Sequence, residues 1–196
     1  MALSLVKEVH RRLAGVIGMD DLCLDATAGN GLDTLFLAQL TKGKGSVHAM
    51  DLQKEALTRT CGLLEQHGLK ERVVTHLSCH SKMETVLPAN AKGRIRAITF
   101  NLGYLPKGDK SITTEPETTL TALRSAYEWL ARNGVLSVLC YRGHPGGKAE
   151  EEAVRELIED GNWKHEVITG CDSGESPVLH WIEKTQKGFS GSTSAS

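Results

Sequence analysis

Short apolar runs of the kind that form buried strands alternate with segments of helical periodicity along nearly the whole chain. That alternation leaves few folds open, because strands joined through helices lie parallel and the sheet they build is covered on both faces. The opening segment, about Leu3 to Gly18, spaces Leu5, Val9, Leu13, Val16 and Ile17 along one helical face. A strand over Leu22–Ala26 follows, then the loop Thr27–Gly31, a helix through Leu40, and a strand from Ser46 to Met50 that ends on Asp51. Glu55–His67 reads as a helix closed by Gly68, Arg72–Leu77 as a strand, and Lys82–Leu87 as a short helix stopped by Pro88. Arg94–Phe100 is the next strand, Glu117–Ala131 a helix, and Asn133-Gly134 a turn into the strand Val135–Tyr141. After a helix over Ala149–Asp160, two strands, around Trp163–Thr169 and Val178–Glu183, have no helix between them. One strand at or near an edge is therefore antiparallel. The expectation is an α/β fold in which seven strands form a mostly parallel sheet. Residues 1–184 make a single domain, and the Gly/Ser-rich stretch 185–196 is expected to be disordered.

Composition narrows the setting. With 40% apolar and 24% charged residues the chain is a soluble globular type, and no apolar run reaches the ~20 residues a membrane helix needs. Lys7, Glu8, His10, Arg11 and Arg12 interrupt the first apolar segment, which excludes a signal-peptide core and points to the cytoplasm. Twenty-three basic against 24 acidic residues give a formal charge of -1, so there is no global electrostatic footprint for long nucleic acid. Local clusters (Lys7, Arg11 and Arg12; Lys107 and Lys110; Lys148) read as solvated surface charge or as points of contact for phosphates. The five cysteines are odd in number and form no C-x-x-C pair, so neither a metal site nor a disulfide framework is expected. Cys23 and Cys140 lie in apolar runs and read as buried, whereas Cys79 beside His80 is a candidate thiol.

The strongest local signal is Asp25-Ala26-Thr27-Ala28-Gly29-Asn30-Gly31, set between a strand and a helix. Glycines there allow a tight turn and close approach of the backbone to a ligand. Twenty residues after Gly31, Asp51 ends the second strand, where an acid can accept hydrogen bonds from both hydroxyls of a ribose. A dinucleotide fingerprint needs a third small residue, and Leu32, Asp33 and Thr34 do not supply it. Asp25 at the first strand end suits a cationic ligand and would repel a pyrophosphate. S-adenosylmethionine, with its α-amino group and sulfonium, meets that requirement. At the end of the fourth strand, Asn101 offers a side-chain carbonyl and the residues after it offer backbone carbonyls. Together these could orient an amine toward the cofactor's methyl, with Tyr104 stacking on a flat base. The loop Arg142–Lys148, with His144, could hold a phosphate or take a proton, or be an ordinary entry into a helix. His80, after the third strand, could cover an adenine or reach the acceptor.

The segments DATAGNGLDTLFLA, MDLQKEAL, NLGYLPKGDKSITTEPETT and YRGHPGGKAEEEAV resemble a family of small bacterial methyltransferases labelled rRNA methylases. Characterised members methylate the amine of 5-aminomethyl-2-thiouridine at the tRNA wobble position. The resemblance runs from about Leu3 to Glu183 and implies the Rossmann-like class I fold of S-adenosylmethionine-dependent methyltransferases. By position it implies a cofactor site formed by Asp25, Ala26, Thr27, Ala28, Gly29, Asn30, Gly31, Asp33, Thr34, Asp51, Gln53, Cys79, His80 and Asn101. It places Asn101 and Tyr104 beside the transferred methyl with His80 nearby, and Tyr104, Lys107, Lys110, Arg142 and His144 on the substrate side. Two departures stand out: Ser78 occupies the place of the family's acid near the adenine amino group, and the loop Cys171–Pro177 differs from the family's Asn- and Pro-rich loop.

The implied partner is a tRNA anticodon stem-loop, gripped at a few phosphates. A homodimer would pool basic patches from two subunits, and no metal or membrane is expected. Two other readings stay open at this point: the same chemistry on rRNA or another amine, and a non-catalytic RNA-binding module built on the same fold.

Overall fold

The structure is a computed structural model that describes residues 5–105, 113–170 and 175–185. The expected alternation is present. The helices are α1 (Leu5–Ala14), α2 (Leu32–Leu40), α3 (Lys54–Gln66), α4 (Met83–Val86), α5 (Pro116–Trp129) and α6 (Gly147–Asp160). The strands are β1 (Leu22–Asp25), β2 (Ser46–Asp51), β3 (Val73–Leu77), β4 (Ile95–Leu102), β5 (Leu130–Cys140), β6 (Lys164–Thr169) and β7 (Val178–Glu183). They form one sheet in the order β3-β2-β1-β4-β5-β7-β6. β1 to β5 are parallel, and β7 is antiparallel to both of its neighbours. The antiparallel strand is thus second from the edge, slotted between β5 and β6.

Two apolar layers sandwich the sheet. On one face Leu24, Met50, Ile98, Phe100, Leu136 and Val138 pack under α4, α5 and α6, through Met83, Leu123, Trp129, Val154 and Ile158. On the other, Cys23, Val47, Ala97, Val135, Leu139 and Trp181 meet Leu5, Val9 and Leu13 of α1, with Leu37 of α2 and Leu64 of α3. The period-two alternation along β4 and β5 explains this division, since neighbouring residues face opposite layers. Cys23 and Cys140 are buried as expected. Burial pushes the Cys23 thiol up to about 12, and raises Cys140 as well, so both behave as small apolar side chains.

Several boundaries differ from the sequence reading. α1 ends at Ala14 rather than Gly18, in a tight turn where Gly15 N–H donates to Arg12 O. β4 continues past Phe100 through Asn101 and Leu102, which pair with Leu139 and Cys140 of β5. β5 begins at Leu130, but residues 131–134 bulge out of register around the Asn133-Gly134 turn before pairing resumes at Val135. Arg12 ties α1 across the sheet to β6 by a two-pronged bond to Glu166, at 2.7 and 2.9 Å, and lies 5.6 Å over the Trp181 ring. Lys107, Lys110, the residues of the 171–177 loop before Glu175, and the tail from residue 186 lie outside the described residues. No helix among the described residues is long and apolar enough to cross a membrane.

Candidate functional site

All five parallel strands end on one side of the sheet, and the loops that follow them enclose a cavity of about 820 Å³. A cavity of that size is in the range of small-molecule sites. Its lining joins Ala26–Asn30 after β1, Asp51–Gln53 after β2, Ser78–His80 after β3, Asn101 and Gly103–Leu105 at the end of β4, and Tyr141, Gly143 and His144 after β5. Val6 of α1, Asp33 at the start of α2, and Thr113–Glu115 close the remaining sides.

The first loop is built around acids. Gly29, at φ +54, donates its N–H to Asp51 Oδ2 at 2.9 Å, and Gln53 N–H donates to Asp51 Oδ1 at 2.8 Å. Each carboxylate oxygen therefore carries one backbone donor and has lone-pair capacity left for a ligand in the cavity. Ala28 N–H is anchored to Met50 O at 2.8 Å, and Ser78 N–H to Asp51 O at 3.0 Å, so three strand ends are stitched together here. Gly31, at φ +81, starts α2 in the left-handed region, and a Cβ there would stand 2.8 Å from Thr60 Cα. Only glycine fits that turn.

Asp25 lies beneath the loop, fully buried and outside the cavity lining. It accepts from Thr27 N–H at 3.2 Å and Thr34 Oγ1 at 2.6 Å. Burial raises its pKa, and the neighbouring carboxylates of Asp33 and Asp51 add to the rise. Asp25 thus shapes the loop from beneath, where burial disfavours its charged form. Gly31 and Thr34 likewise stand behind the lining, whereas Ala26, Thr27, Ala28, Gly29, Asn30, Asp33, Asp51, Gln53, Cys79, His80 and Asn101 are in it.

The end of β4 supplies the opposite wall. Asn101 N–H donates to Thr27 Oγ1 at 2.7 Å, and its side-chain Nδ2 donates to Asp33 Oδ2 at 2.7 Å. Asp33 Oδ1 is 2.6 Å from His10 Nε2 on α1, and the His10 ring stacks on Phe36 at 3.9 Å. Two of the backbone carbonyls after Asn101, expected as further acceptors, hold donors from the protein. Leu102 O takes Tyr141 N–H, and Gly103 O takes Thr114 N–H and the Thr113 hydroxyl. The Asn101 amide oxygen adds a side-chain acceptor beside them, since the amide nitrogen is bonded to Asp33.

His80 is buried with its Nε2 lacking a hydrogen-bond partner among the described residues, and its ring meets Phe100 edge-on. Burial lowers its pKa to about 4, so it is neutral at physiological pH and a weak base. Its orphaned nitrogen marks the wall beside Ser78 and Cys79 as one built to meet a polar group. Tyr104, 40% exposed, stands edge-on to His144 at 5.8 Å, with exposed Tyr141 close by on the same rim. Arg142 lies outside this cavity, in an adjoining hollow with Lys148 that shares Gly143, His144 and Glu175 with it. Its Nε donates to Ser176 O at 2.8 Å.

Sequence reasoning did not single out His10, Thr114 or Glu150. The Thr114 and Thr119 hydroxyls each donate to the buried Glu150 carboxylate at 2.7 Å, which pins the cavity's Thr113–Glu115 wall to α6. A threonine pair ahead of a helix is a weak signal, and nothing local announces a partner more than thirty residues away.

A profile of the family described as "putative rRNA methylase" matches residues 47–174. A chloroplastic tRNA (mnm5s2U34)-methyltransferase of Arabidopsis thaliana is 46% identical over 147 residues, which are 71% of this chain and 53% of that protein. The chain thus spans about half the length of the curated relative it matches. A solved "putative rRNA-methylase" from Clostridium thermocellum is 34% identical with a TM-score of 0.86, covering 94% of this chain and 99% of its own. A "putative methyltransferase" from Streptococcus mutans, solved in complex with SAH, is 33% identical with a TM-score of 0.81 over the same shares.

Proposed function

The chain belongs to the family described as "putative rRNA methylase", and from that membership we propose that it is an S-adenosylmethionine-dependent RNA N-methyltransferase. The proposed reaction methylates the amine of 5-aminomethyl-2-thiouridine at the tRNA wobble position, giving 5-methylaminomethyl-2-thiouridine. One observation carries this reading. A side-chain amide, Asn101, is locked at the end of β4 in the same cavity as the Asp51-Gly29 loop. The 46% identical plant protein named for this reaction, and the related structure solved with SAH, support it.

The residues present fit the cofactor. Asp51 keeps acceptor capacity for two ribose hydroxyls, Leu52 (60% exposed) provides an apolar plate beside it, and the unpartnered His80 Nε2 stands on the neighbouring wall. Ser78 in place of the family's acid shifts recognition of the adenine edge toward a hydroxyl and backbone groups. Asp33, in the cavity lining, supplies negative potential for the sulfonium, while burial disfavours the charged form of Asp25 beneath the loop. When bound, S-adenosylmethionine supplies an electrophilic methyl.

On the acceptor side, Asn101 Oδ1 takes an N–H of the neutral amine and turns its lone pair toward that methyl. Tyr104 and Tyr141 flank the flat base. Arg142, His144 and Lys148, in the adjoining hollow, meet the phosphates of the stem-loop. Asn101, Tyr104 and His80 hold the reacting groups in place; the amine nitrogen would take the methyl as the methyl–sulfur bond breaks and would then release one proton to water, so no covalent enzyme intermediate is needed. Such positioning supplies up to ~7–11 kcal/mol in well-oriented systems.

The test is methyl transfer from labelled S-adenosylmethionine to tRNA bearing 5-aminomethyl-2-thiouridine, run beside ribosomal RNA. Label at the wobble uridine is the expected result. Label on ribosomal RNA alone would keep the chemistry and overturn the acceptor. No label on either, with cofactor binding measured, would point to a non-catalytic RNA-binding module. Asn101→Ala is expected to abolish turnover while leaving cofactor affinity within about threefold, because the amide acts on the acceptor.

A further inference from the structure

An asparagine amide is ambiguous as a recognition group, since rotation by half a turn exchanges a donor pair for an acceptor. Here the ambiguity is removed from outside the cavity. Asp33 Oδ2 stands 2.7 Å from the amide nitrogen of Asn101, and a carboxylate can only accept, so the NH2 must face Asp33 and the oxygen must face the cavity. Asp33 is fixed in turn. Its other oxygen meets His10 Nε2 at 2.6 Å, and the His10 ring lies flat on Phe36, with centroids 3.9 Å apart and planes 3° from parallel. The helix carrying His10 is clamped by Leu5, Val9 and Leu13 in the core and by the Arg12–Glu166 pair. A continuous chain of contacts, His10 to Asp33 to Asn101, therefore runs from a half-buried ring on α1 to the acceptor wall.

We propose that His10 is a positioning residue: by orienting Asp33 it holds the Asn101 oxygen toward the acceptor, so that the site selects an acceptor presenting an N–H. This rests on the methyl-transfer reading above. It gives α1 a part in specificity, where packing alone would require only an apolar face. It also changes the part assigned to Asp33, from a cofactor contact to the clamp on Asn101.

The test uses the full chain with three substitutions. His10→Phe keeps the stack on Phe36 and removes the bond to Asp33. His10→Gln puts an N–H donor near the place of Nε2. Asp33→Asn lets the Asn101 amide face either way. Expected results are a fall in kcat of about tenfold or more for His10→Phe, with KM for S-adenosylmethionine unchanged within about twofold, and recovery of most of the loss in His10→Gln. Asp33→Asn is expected to lose at least as much.

A readout independent of turnover is the Asn101 side-chain NH2 signal in the 15N spectrum, assigned by its disappearance in Asn101→Ala. In the natural chain it should be shifted and slow to exchange, as for a group bonded to a carboxylate. That signature should be lost in Asp33→Asn and weakened in His10→Phe. An unaltered signal and kcat in His10→Phe would overturn the proposal. So would a loss that glutamine fails to restore and that tracks a lowered Tm, since that is the mark of packing alone. An inactive natural chain would sink the methyl-transfer reading, while the amide signal would still decide whether His10 governs Asn101.

Discussion

At the scale of single residues, the cofactor loop is the most constrained stretch of the molecule. Asp51 has two jobs: its oxygens receive the backbone N–H groups of Gly29 and Gln53, and they point into the cavity. Asp51→Ala removes both the loop's anchor and the acceptor proposed for the ribose. Hydrogen bonds to a charged group are each worth about 1.5–3 kcal/mol, so losing the two offered to the ribose hydroxyls should lower cofactor affinity by roughly a hundred- to ten-thousandfold, read by calorimetry. An unchanged affinity would mean that the ribose is held elsewhere. Gly31 tests the backbone itself. Alanine there must adopt φ +81 and place its Cβ 2.8 Å from Thr60 Cα, so Gly31→Ala should cost about 2 kcal/mol or more in denaturant unfolding. Thr60→Ala should not rescue it, because the obstructing atom belongs to the backbone. Asp25 was legible as a site acid from its strand-end position, but not its depth. Depth follows from Thr34, nine residues on, whose hydroxyl caps the carboxyl from α2.

At the scale of elements, periodicity located the strands and helices because each has a core-facing stripe that a one-dimensional pattern records. The same pattern is silent on contacts between elements. That β7 inserts between β5 and β6 is decided by which edges can pair, and the bulge over residues 131–134 by where β4 and β5 regain register. Glu150 shows the limit well. In the sequence it is one of three consecutive glutamates on an amphipathic helix, yet it is buried and receives two threonine hydroxyls from the far side of the cavity. Glu150→Ala leaves both hydroxyls without their partner and releases the Thr113–Glu115 wall from α6. The expected cost is about 1–3 kcal/mol in unfolding free energy, with KM for RNA raised and cofactor affinity little changed. A variant with the stability loss but an unaltered KM for RNA would assign Glu150 to the scaffold alone.

At the scale of the whole molecule, a chain of net charge -1 has little overall field to draw in a polyanion, so the RNA proposed as substrate would have to be met by local basic groups. The same core that positions this cavity carries several buried histidines, which makes its stability sensitive to acid. Burial lowers His80 and His48 to about 4 from an ordinary 6.5, with His76 as a further cause for His48; His76 and His180 are also lowered, chiefly by burial. The unfolded chain therefore binds protons that the folded chain refuses. Stability is complete above pH 6.5 and is lost as the pH falls toward 4, the folded state having to accept a buried charge or open. For His80, about 92% shielded from solvent and with no partner for Nε2, the difference corresponds to about 3 kcal/mol across that window. Urea unfolding at pH 7 and pH 4.5 should show this loss, and His80→Leu should flatten it by a comparable amount while leaving the pH 7 value much less affected. His48→Leu should flatten it separately, because the His48 ring pairs with His76 and the His80 ring with Phe100. If His80→Leu keeps the full slope, then water reaches that ring in the cofactor-free protein, and the orphaned nitrogen is solvated rather than waiting for a ligand.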